Sequence, residues 1–253
     1  MELLSLHSDQ LHLEVAPAAG GSVARLDWRS QPILRRADAA AVARGGASRA
    51  AMHPLVPFAN RVPGNVIDLV APPLSLQPNV AGEACALHGI GWQRPWRVLD
   101  WSDDRCRLEL IVGEGEWAFG FRATQAFRLR AARFEARIEI ENTTKRPIPA
   151  GIGFHPYFVR AGGMMLQFRA RHFWMEGPGH LPTEAISLPP ELDFSGGGML
   201  PVQWRNNGYS GWDGEAVLFD PGRHLRVDLS ATEPLRELML YVPPASAYFC
   251  LEP

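Results

Sequence analysis

Apolar and charged residues alternate strictly in the middle of the chain. Apolar side chains occupy every second position across 105–110 and again across 133–141, with arginine or glutamate between them. A strand directs successive side chains to opposite faces of a sheet, whereas a helix would spread these charges around its surface. The pattern therefore predicts antiparallel strands with one face in the core and one in solvent. The segment 121–130 between them is predicted to be extended as well.

Shorter runs of the same character predict strands in both halves of the chain. The predicted strands outside the central region are 11–15, 22–28, 164–169, 215–219, 224–230, 236–241 and 247–252. Asp213-Gly214 stands between two apolar runs and predicts a two-residue hairpin turn. The segment 113–118 matches the GxGxxA pattern of dinucleotide sites, but no helix follows it, so it is predicted to be a hairpin loop.

Only one helix is predicted. The alanine-rich segment 38–44 favours one or two turns, capped by Asp38 and ended by Gly45-Gly46. The region 52–97 is rich in proline, glycine, asparagine and histidine, and it predicts long loops that carry side chains. No repeat, low-complexity tract or linker interrupts the chain. The pattern therefore predicts a single all-β domain over 1–253, an antiparallel β-sandwich with functional loops on one side.

Composition and charge narrow the class of protein. Of the 253 residues, 46% are hydrophobic and 21% are charged, which is ordinary for a globular protein with a sizeable core. The net charge is −2 with both signs interspersed, so neither nucleic acid nor an anionic membrane is an expected partner. Cys85, Cys106 and Cys250 are far apart and odd in number, which predicts free thiols in a reducing compartment. The N-terminus lacks a signal-like pattern and no apolar run of about 18 residues occurs, which predicts a cytoplasmic protein.

Common catalytic and metal-binding motifs are missing from the sequence. It contains no HExxH, HxH or paired-cysteine motif, so its eight scattered histidines predict no metal site. It also contains no GxSxG nucleophile elbow and no P-loop. The remaining acid–base groups stand among many aromatic residues on a β scaffold, a setting that suits a carbohydrate ligand.

One histidine has an unusual setting. His155 lies between two aromatic residues and directly before Pro156, which restricts its backbone to an extended conformation. Gly151 and Gly153 precede it and suggest that a ligand or another backbone approaches closely. The pattern fits a half-buried core histidine, and it also fits a group that exchanges protons near neutral pH.

Four segments together carry a family resemblance. They read PLVPFANRV at 54–62, LHGIGWQRPW at 87–96, GFHPYF at 153–158 and CLEP at 250–253. Their order and character resemble the aldose 1-epimerase (galactose mutarotase) family, from about Pro17 to the C-terminus. The resemblance implies a large antiparallel β-sandwich of the galactose mutarotase-like type. Such a protein interconverts the α and β anomers of free aldoses without a cofactor.

The resemblance also implies roles for individual residues. His155 matches the general acid that protonates the ring oxygen of the sugar. Glu252 matches the general base that takes the proton from the anomeric hydroxyl. Arg61, which follows Asn60, matches the substrate-binding arginine, and His88 matches the second histidine of the pocket.

Two features depart from the family pattern. The family often has an aspartate that holds sugar hydroxyls shortly before the turn at 212–214. Asn206, beside Asn207, stands at the matching place, so this contact is expected to be uncharged or supplied by another group. Family chains also continue past the Glu-Pro motif into further strands, whereas this sequence ends at Pro253, one residue after Glu252. Those C-terminal strands are therefore expected to be absent.

Each implied role has a plainer structural alternative. Glu252 also fits an exposed carboxylate near the chain end. Arg61 also fits the donor of a loop-stabilising salt bridge, and His88 fits a residue of a simple turn. Two alternative functions also stay open. One is a hexose-6-phosphate 1-epimerase, with Arg94 and Arg97 as the nearby cations, and the other is a non-catalytic carbohydrate-binding protein on the same fold. The expected partner is in each case a small sugar, without metal or other cofactor, and the protein is expected to be a monomer or homodimer.

Overall fold

Strands dominate the structure, as the alternating pattern predicts. In the computed structural model, which describes residues 2–253, 49% of the residues are in strands and 9% in helices. The predicted all-β class is therefore confirmed. The chain divides into two compact units, one that ends at Phe154 and one that runs from His155 to Pro253. That 1–253 forms a single domain stays a prediction.

The first unit contains two antiparallel sheets and two short ribbons. Its strands are β1 Leu4–His7, β2 Leu11–Ala16, β3 Ser22–Trp28, β4 Gln31–Pro32, β5 Met52–Leu55, β6 Arg61–Val62, β7 Val66–Ile67, β8 Leu74–Ser75, β9 Ala86–Leu87, β10 Arg97–Trp101, β11 Arg105–Val112, β12 Phe121–Arg130 and β13 Arg133–Asn142. One sheet has the order β1-β2-β3-β5, with β4 on β3, and the other has the order β10-β11-β12-β13. The pairs β6-β9 and β7-β8 form the ribbons.

The central strands of the first unit show the predicted alternation. Along β12, every second residue from Phe121 to Leu129 is buried, whereas the charged residues of β13 are exposed or half-buried. The exception among the charged residues of β11, β12 and β13 is Glu109, which is buried. A buried charge is costly unless it is paired, and the Glu109 carboxylate forms ion pairs with Arg97 and Arg122.

The predicted helix is confirmed. Helix α1 spans Ala39–Gly45, the side chain of Asp38 accepts a hydrogen bond from the N–H of Ala41, and Gly46 follows as the C-cap with a φ of 58°. Short 3-10 turns occur at Gly46–Arg49, Pro63–Asn65, Gly91–Gln93, Pro178–His180 and Pro190–Leu192. Among the described residues 2–253, no helix has the length and apolar character needed to cross a membrane.

The prediction of long loops over 52–97 is only partly right. This region contains the strands β5 to β9, each two to four residues long, with turns between them. The β6-β9 ribbon pairs Arg61 with Leu87. A strand of two residues is too short to show an alternating pattern, so only its pairing with a distant segment defines it.

The second unit also contains two antiparallel sheets. Its strands are β14 Gly153–Val159, which begins just before the unit boundary, β15 Met165–Phe168, β16 His172–Glu176, β17 Pro182–Ser187, β18 Gly198–Met199, β19 Arg205–Ser210, β20 Glu215–Asp220, β21 Leu225–Ser230, β22 Glu237–Val242 and β23 Tyr248–Glu252. The larger sheet has the order β14-β23-β22-β19-β16-β17, and the smaller sheet has the order β18-β15-β20-β21. The strands predicted over 164–252 are confirmed, but β16, β17, β18 and β19 were not predicted.

Aromatic side chains pack between the two sheets of the second unit. Tyr209 on β19 makes edge-to-face contacts with Phe168 on β15, at 4.9 Å between ring centroids, and with Phe173 on β16, at 5.3 Å. In the strands of the larger sheet, the side chains that point into this core alternate with side chains that point to the opposite side of the sheet. We call that side the site face, and its members include His155, Tyr157, Asn206, Met239, Tyr241, Cys250 and Glu252.

The predicted hairpin turn at Asp213-Gly214 is wrong. The strands on either side, β19 and β20, belong to different sheets and do not pair with each other. Asp213 instead accepts a hydrogen bond from the N–H of Glu215 at 3.1 Å, in a connection between the two sheets. A local turn signal does not show which sheet each flanking strand joins. The loop between β11 and β12 is a hairpin as predicted, since Val112 pairs with Phe121.

Candidate active site

The pairing of β14 with β23 brings His155 next to Glu252. The register pairs Tyr157 with Cys250 and Phe158 with Phe249, and its continuation places His155 opposite Glu252. Their side chains meet on the site face, where Nε2 of His155 lies 3.3 Å from Oε1 of Glu252. Both side chains are buried, with 9% and 7% of their surfaces exposed. Two residues that are far apart in sequence thus form one acid–base pair.

The surroundings of the pair suit proton transfer. Burial raises the pKa of Glu252 to about 8, because the charged carboxylate loses its hydration. A group whose pKa lies near the working pH can both accept and release a proton readily. The imidazole of His155 stacks on the ring of Tyr157, with 4.5 Å between centroids, and this contact holds the imidazole parallel to the tyrosine.

A thiol lies beside this pair. One ligand atom from each of His155, Cys250 and Glu252 lies within 4.8 Å of the other two, and all three residues are buried. Such a compact set of nitrogen, sulfur and oxygen suits Zn²⁺, so these residues could hold a metal that sequence motifs did not predict. A metal ion there would occupy the lone pairs that proton transfer requires.

Asn60, Arg61 and His88 lie together in the first unit. The backbone N–H of Asn60 donates to Nδ1 of His88 at 3.1 Å, and the N–H of His88 donates to the carbonyl of Asn60 at 2.9 Å. The N–H of Arg61 donates to Oδ1 of Asn60 at 2.8 Å. Asn60 and His88 both have a left-handed backbone, with φ values of 60° and 58°. This conformation is uncommon for a residue other than glycine and often occurs at functional sites.

The guanidinium of Arg61 is held by a residue that the sequence analysis missed. Nε and Nη2 of Arg61 donate to the two carboxylate oxygens of Glu83 at 2.9 Å and 2.8 Å. The predicted salt-bridge role of Arg61 is therefore correct, and it does not exclude a second role for the Nη1 donors. Glu83 stands in a loop, where no sequence pattern distinguishes it from a surface carboxylate.

His88 is a neutral hydrogen-bond donor. Burial, together with the proximity of His53 and Arg61, holds the pKa of His88 well below its usual value. Because Nδ1 accepts a hydrogen bond from a backbone N–H, the single proton of the neutral ring is assigned to Nε2. A neutral imidazole with Nε2–H can donate to a sugar oxygen without adding charge.

Asn206 lies on the site face of the second unit and has a carboxylate as its neighbour. Its Nδ2 donates to Oε1 of Glu176 at 2.8 Å. The adjacent Asn207 is buried on the opposite side of the sheet and donates to the carbonyl of Trp174 at 3.0 Å. Glu176 thus supplies a negative charge one strand away from the place where the family often has an aspartate. Sequence reasoning missed it because β16 was not predicted.

The two cations considered for a phosphorylated sugar have ordinary surroundings. Arg97 on β10 forms an ion pair with Glu109, which neutralises its charge. Arg94 is exposed. This arrangement gives no specific support to a hexose-6-phosphate as the substrate.

Comparisons with known proteins agree with the predicted resemblance. The family model described as Aldose 1-epimerase matches residues 2–253. The Escherichia coli K12 protein named Uncharacterized protein YphB is 34% identical over 262 residues, which cover 100% of this chain and 88% of that protein.

Solved structures agree as well. A crystal structure from Escherichia coli K12, named "Putative aldose 1-epimerase", has a TM-score of 0.93 at 32% identity and covers 100% of this chain and 87% of that one. A galactose mutarotase-like protein from Clostridium acetobutylicum has a TM-score of 0.85 at 17% identity, covering 98% of this chain and 83% of its own. The predicted galactose mutarotase-like fold is confirmed. This chain belongs to the aldose 1-epimerase family.

Proposed function

We propose that this protein is a cofactor-independent mutarotase that interconverts the α and β anomers of a free aldose. The observation that carries the proposal is the contact of 3.3 Å between Nε2 of His155 and Oε1 of Glu252, buried on one face of a sheet. Membership of the aldose 1-epimerase family supplies the class of reaction.

The proposed reaction needs one proton donor and one proton acceptor. His155 gives a proton to the ring oxygen while Glu252 takes the proton of the C1 hydroxyl, the bond between C1 and the ring oxygen breaks, and C1 becomes an aldehyde carbon. Rotation about C1–C2 exposes the other face of the aldehyde. Reversal of the two proton transfers then closes the ring as the other anomer. No electrons enter or leave, so the step needs no redox partner.

The proposed roles require a particular protonation state. The reactive state has the proton on His155 and the negative charge on Glu252. Because burial raises the pKa of Glu252 to about 8, only a minority of the folded molecules carry this negative charge at pH 7, and the charged fraction grows as the pH rises toward 8. Contact between the two groups keeps the donor and the acceptor in one place before the sugar binds.

Substrate binding is assigned to Asn60, Arg61, His88 and Asn206. In this proposal the Nη1 donors of Arg61 and the Nε2–H of His88 donate to sugar oxygens, and the charge of Arg61 also stabilises charge that develops on the ring oxygen. The amide of Asn206 contacts sugar hydroxyls. We further propose a cytoplasmic monomer or homodimer without nucleic-acid or membrane partners, in line with the net charge of −2.

Polarimetry on fresh α-glucose, α-galactose, L-arabinose and glucose 6-phosphate tests the proposal. His155→Asn and Glu252→Gln are each expected to lower anomer exchange at least about 100-fold, because each removes one partner of proton transfer. His172→Asn and Glu237→Gln make the same replacements at exposed positions of the second unit and should leave the rate unchanged.

Three results would contradict the proposal. Near wild-type rates in folded His155→Asn or Glu252→Gln would exclude the acid–base assignment. Sugar binding without acceleration of anomer exchange by the wild-type protein would favour the non-catalytic carbohydrate-binding alternative. Exchange of glucose 6-phosphate in preference to the free sugars would favour the hexose-6-phosphate 1-epimerase.

A further inference from the structure

A second polar cluster lies in the second unit, centred on Glu176. Oε1 of Glu176 accepts a hydrogen bond from Nδ2 of Asn206 at 2.8 Å and lies 2.6 Å from Nδ1 of His180. Oε2 accepts a hydrogen bond from Nε1 of Trp204 at 2.7 Å. We call Glu176, His180, Trp204 and Asn206 the distal cluster. One carboxylate therefore organises an amide, an imidazole and an indole.

The distal cluster lies on the same site face as the acid–base pair. Asn206 on β19 is paired with Tyr241 on β22, and Tyr241 is paired with Cys250 on β23, two residues before Glu252. One strand therefore separates Asn206 from the strand of Glu252. With about 4.8 Å between neighbouring strands, Cα atoms of β19 and β23 are about 10 Å apart. Side chains separated by one strand can contact opposite ends of one small molecule.

The hydrogen bonds of the cluster determine which way Asn206 faces. Burial opposes ionisation of Glu176, but hydrogen bonds from Asn206, His180 and Trp204 outweigh it and lower the pKa of this carboxyl below its usual value. An ionised carboxylate only accepts hydrogen bonds, so the Asn206 amide must present Nδ2 to it. Oδ1 then faces away from Glu176, and within residues 2–253 no side chain or backbone group donates to it.

Aromatic surface borders the polar groups. Trp204 has 36% of its surface exposed, and its ring meets that of Tyr241 edge to face, with 5.5 Å between centroids. Flat apolar rings next to fixed hydrogen-bonding groups suit a sugar, which has both C–H surfaces and hydroxyl groups.

We propose that Glu176 is a positioning residue that holds Asn206 and Trp204 as a subsite for hydroxyl groups of the sugar remote from C1. This inference rests on the proposed function and adds the part of the sugar that the protein recognises. Oδ1 of Asn206 accepts a hydrogen bond from a sugar hydroxyl, and Trp204 packs against the carbon skeleton. Glu176 does not touch the reacting atoms. Its removal affects binding of the sugar and leaves the proton transfers intact.

Steady-state kinetics of Glu176→Gln on galactose, glucose and L-arabinose test this subsite. Glutamine cannot accept hydrogen bonds from all three donors, so we expect KM to rise ~10-fold to ~100-fold for at least one sugar, while kcat changes less than about threefold. Glu184→Gln, an exposed replacement on β17, should change neither constant. Trp204→Phe keeps the aromatic ring but removes its N–H, and should raise KM by a smaller factor.

Monodeoxy sugars sharpen the test. If the distal cluster binds a particular hydroxyl, Glu176→Gln should have no further effect on the KM of the sugar that lacks that hydroxyl. NMR titration measures sugar affinity separately from catalysis when the Glu252→Gln variant is compared with the double variant that carries both Glu252→Gln and Glu176→Gln. If Glu176→Gln is poorly folded, the same comparison is made with Trp204→Phe.

The inference and the proposed function fail in different ways. If Glu252→Gln abolishes exchange but Glu176→Gln and Trp204→Phe leave every KM and sugar affinity unchanged, the subsite is excluded and the mutarotase proposal stands. If Glu176→Gln raised the KM of every deoxy sugar by the same factor, the subsite would also be excluded. If Glu252→Gln exchanges anomers at the wild-type rate, the proposed function itself fails.

Discussion

Glu252 is the next-to-last residue of the sequence, yet its side chain is only 7% exposed. The alternative in which Glu252 is an exposed carboxylate near the chain end is therefore wrong. β23 pairs with β14 along one edge and with β22 along the other, so Glu252 belongs to an internal strand of the larger sheet and not to a loose chain end. Removal of water raises the pKa of Glu252 to about 8, so this carboxyl exchanges its proton close to neutral pH.

The raised pKa makes stability depend on pH. The unfolded carboxyl has a pKa of 4.5 and the folded one about 8, so only the folded state keeps the proton between these values. Its stabilising contribution is fully present below pH 4.5 and is lost as the pH rises to about 8. Glutamine stays neutral, so we expect Glu252→Gln to gain up to ~4 kcal/mol in free energy of unfolding over wild type between pH 5 and pH 9.

Urea unfolding at a series of pH values measures this difference. The exposed replacement Glu184→Gln is the matched control, and its difference from wild type should not vary with pH in the same range. A constant difference between Glu252→Gln and wild type from pH 5 to pH 9 would show that Glu252 is not protonated in the folded state.

At the scale of elements, His88 lies in the turn that directly follows β9. This turn lies very close to the backbone of Val56, the residue after β5. Gly89 has a φ of +67°, and a Cβ there would lie 2.4 Å from the carbonyl oxygen of Val56. The N–H of Gly91 donates to the same carbonyl at 2.9 Å. The absence of a side chain at Gly89 thus lets two backbone segments meet and sets the position of His88.

Gly89→Ala is expected to destabilise the protein strongly. The methyl group would meet backbone atoms that cannot rotate away, in addition to the cost of a left-handed alanine. Gly82→Ala isolates the second effect, since Gly82 has a φ of +84° and no atom within 4 Å of its Cβ position. We expect Gly89→Ala to lower the free energy of unfolding by ~2 kcal/mol or more beyond Gly82→Ala, as measured by urea unfolding. Equal losses would show that the segment containing Val56 can move aside.

At the scale of the whole molecule, the three cysteines report on opening of the fold. None of the three forms a disulfide, and Cys85 is half-buried whereas Cys106 and Cys250 are buried. Burial raises the pKa of Cys106 to about 12, so its reactive thiolate is scarce in the folded state. The prediction of free thiols is confirmed.

Reaction with a thiol reagent such as Ellman's reagent should therefore be biphasic. We expect Cys85 to react first, and Cys106 and Cys250 to react only as the protein unfolds, because the thiolate must reach solvent. Cys85→Ser should remove the fast phase and leave the slow one. Fast reaction of Cys250 in the folded protein would show that the strand carrying Glu252 opens locally.

The strand predictions succeeded where one face of a strand is polar and the other apolar. β11, β12 and β13 show this alternation because their outer faces carry charges. β19 does not, since Asn206 and Gly208 on the site face alternate with Asn207 and Tyr209 in the core. A strand that presents polar groups to a ligand loses the apolar pattern that would identify it.

The sequence by itself determined the all-β class, the helix at 38–44 and the family. These follow from short-range information, since alternation, capping residues and the four family segments can be read along the chain. The roles implied for His155 and Glu252 also came from those segments, and they stay proposals. Local patterns carry this information because each depends only on residues a few positions apart.

Only the tertiary structure decided which groups meet. The register of β14 with β23 places His155 against Glu252, and burial by neighbouring strands sets the pKa of that carboxyl. The hydrogen bonds of Glu83 with Arg61 and of Glu176 with Asn206 could not be predicted from the sequence either, because in each case the two partners come from separate segments. Contact and burial depend on residues that are distant in sequence, and a carboxylate acquires its chemistry from those neighbours.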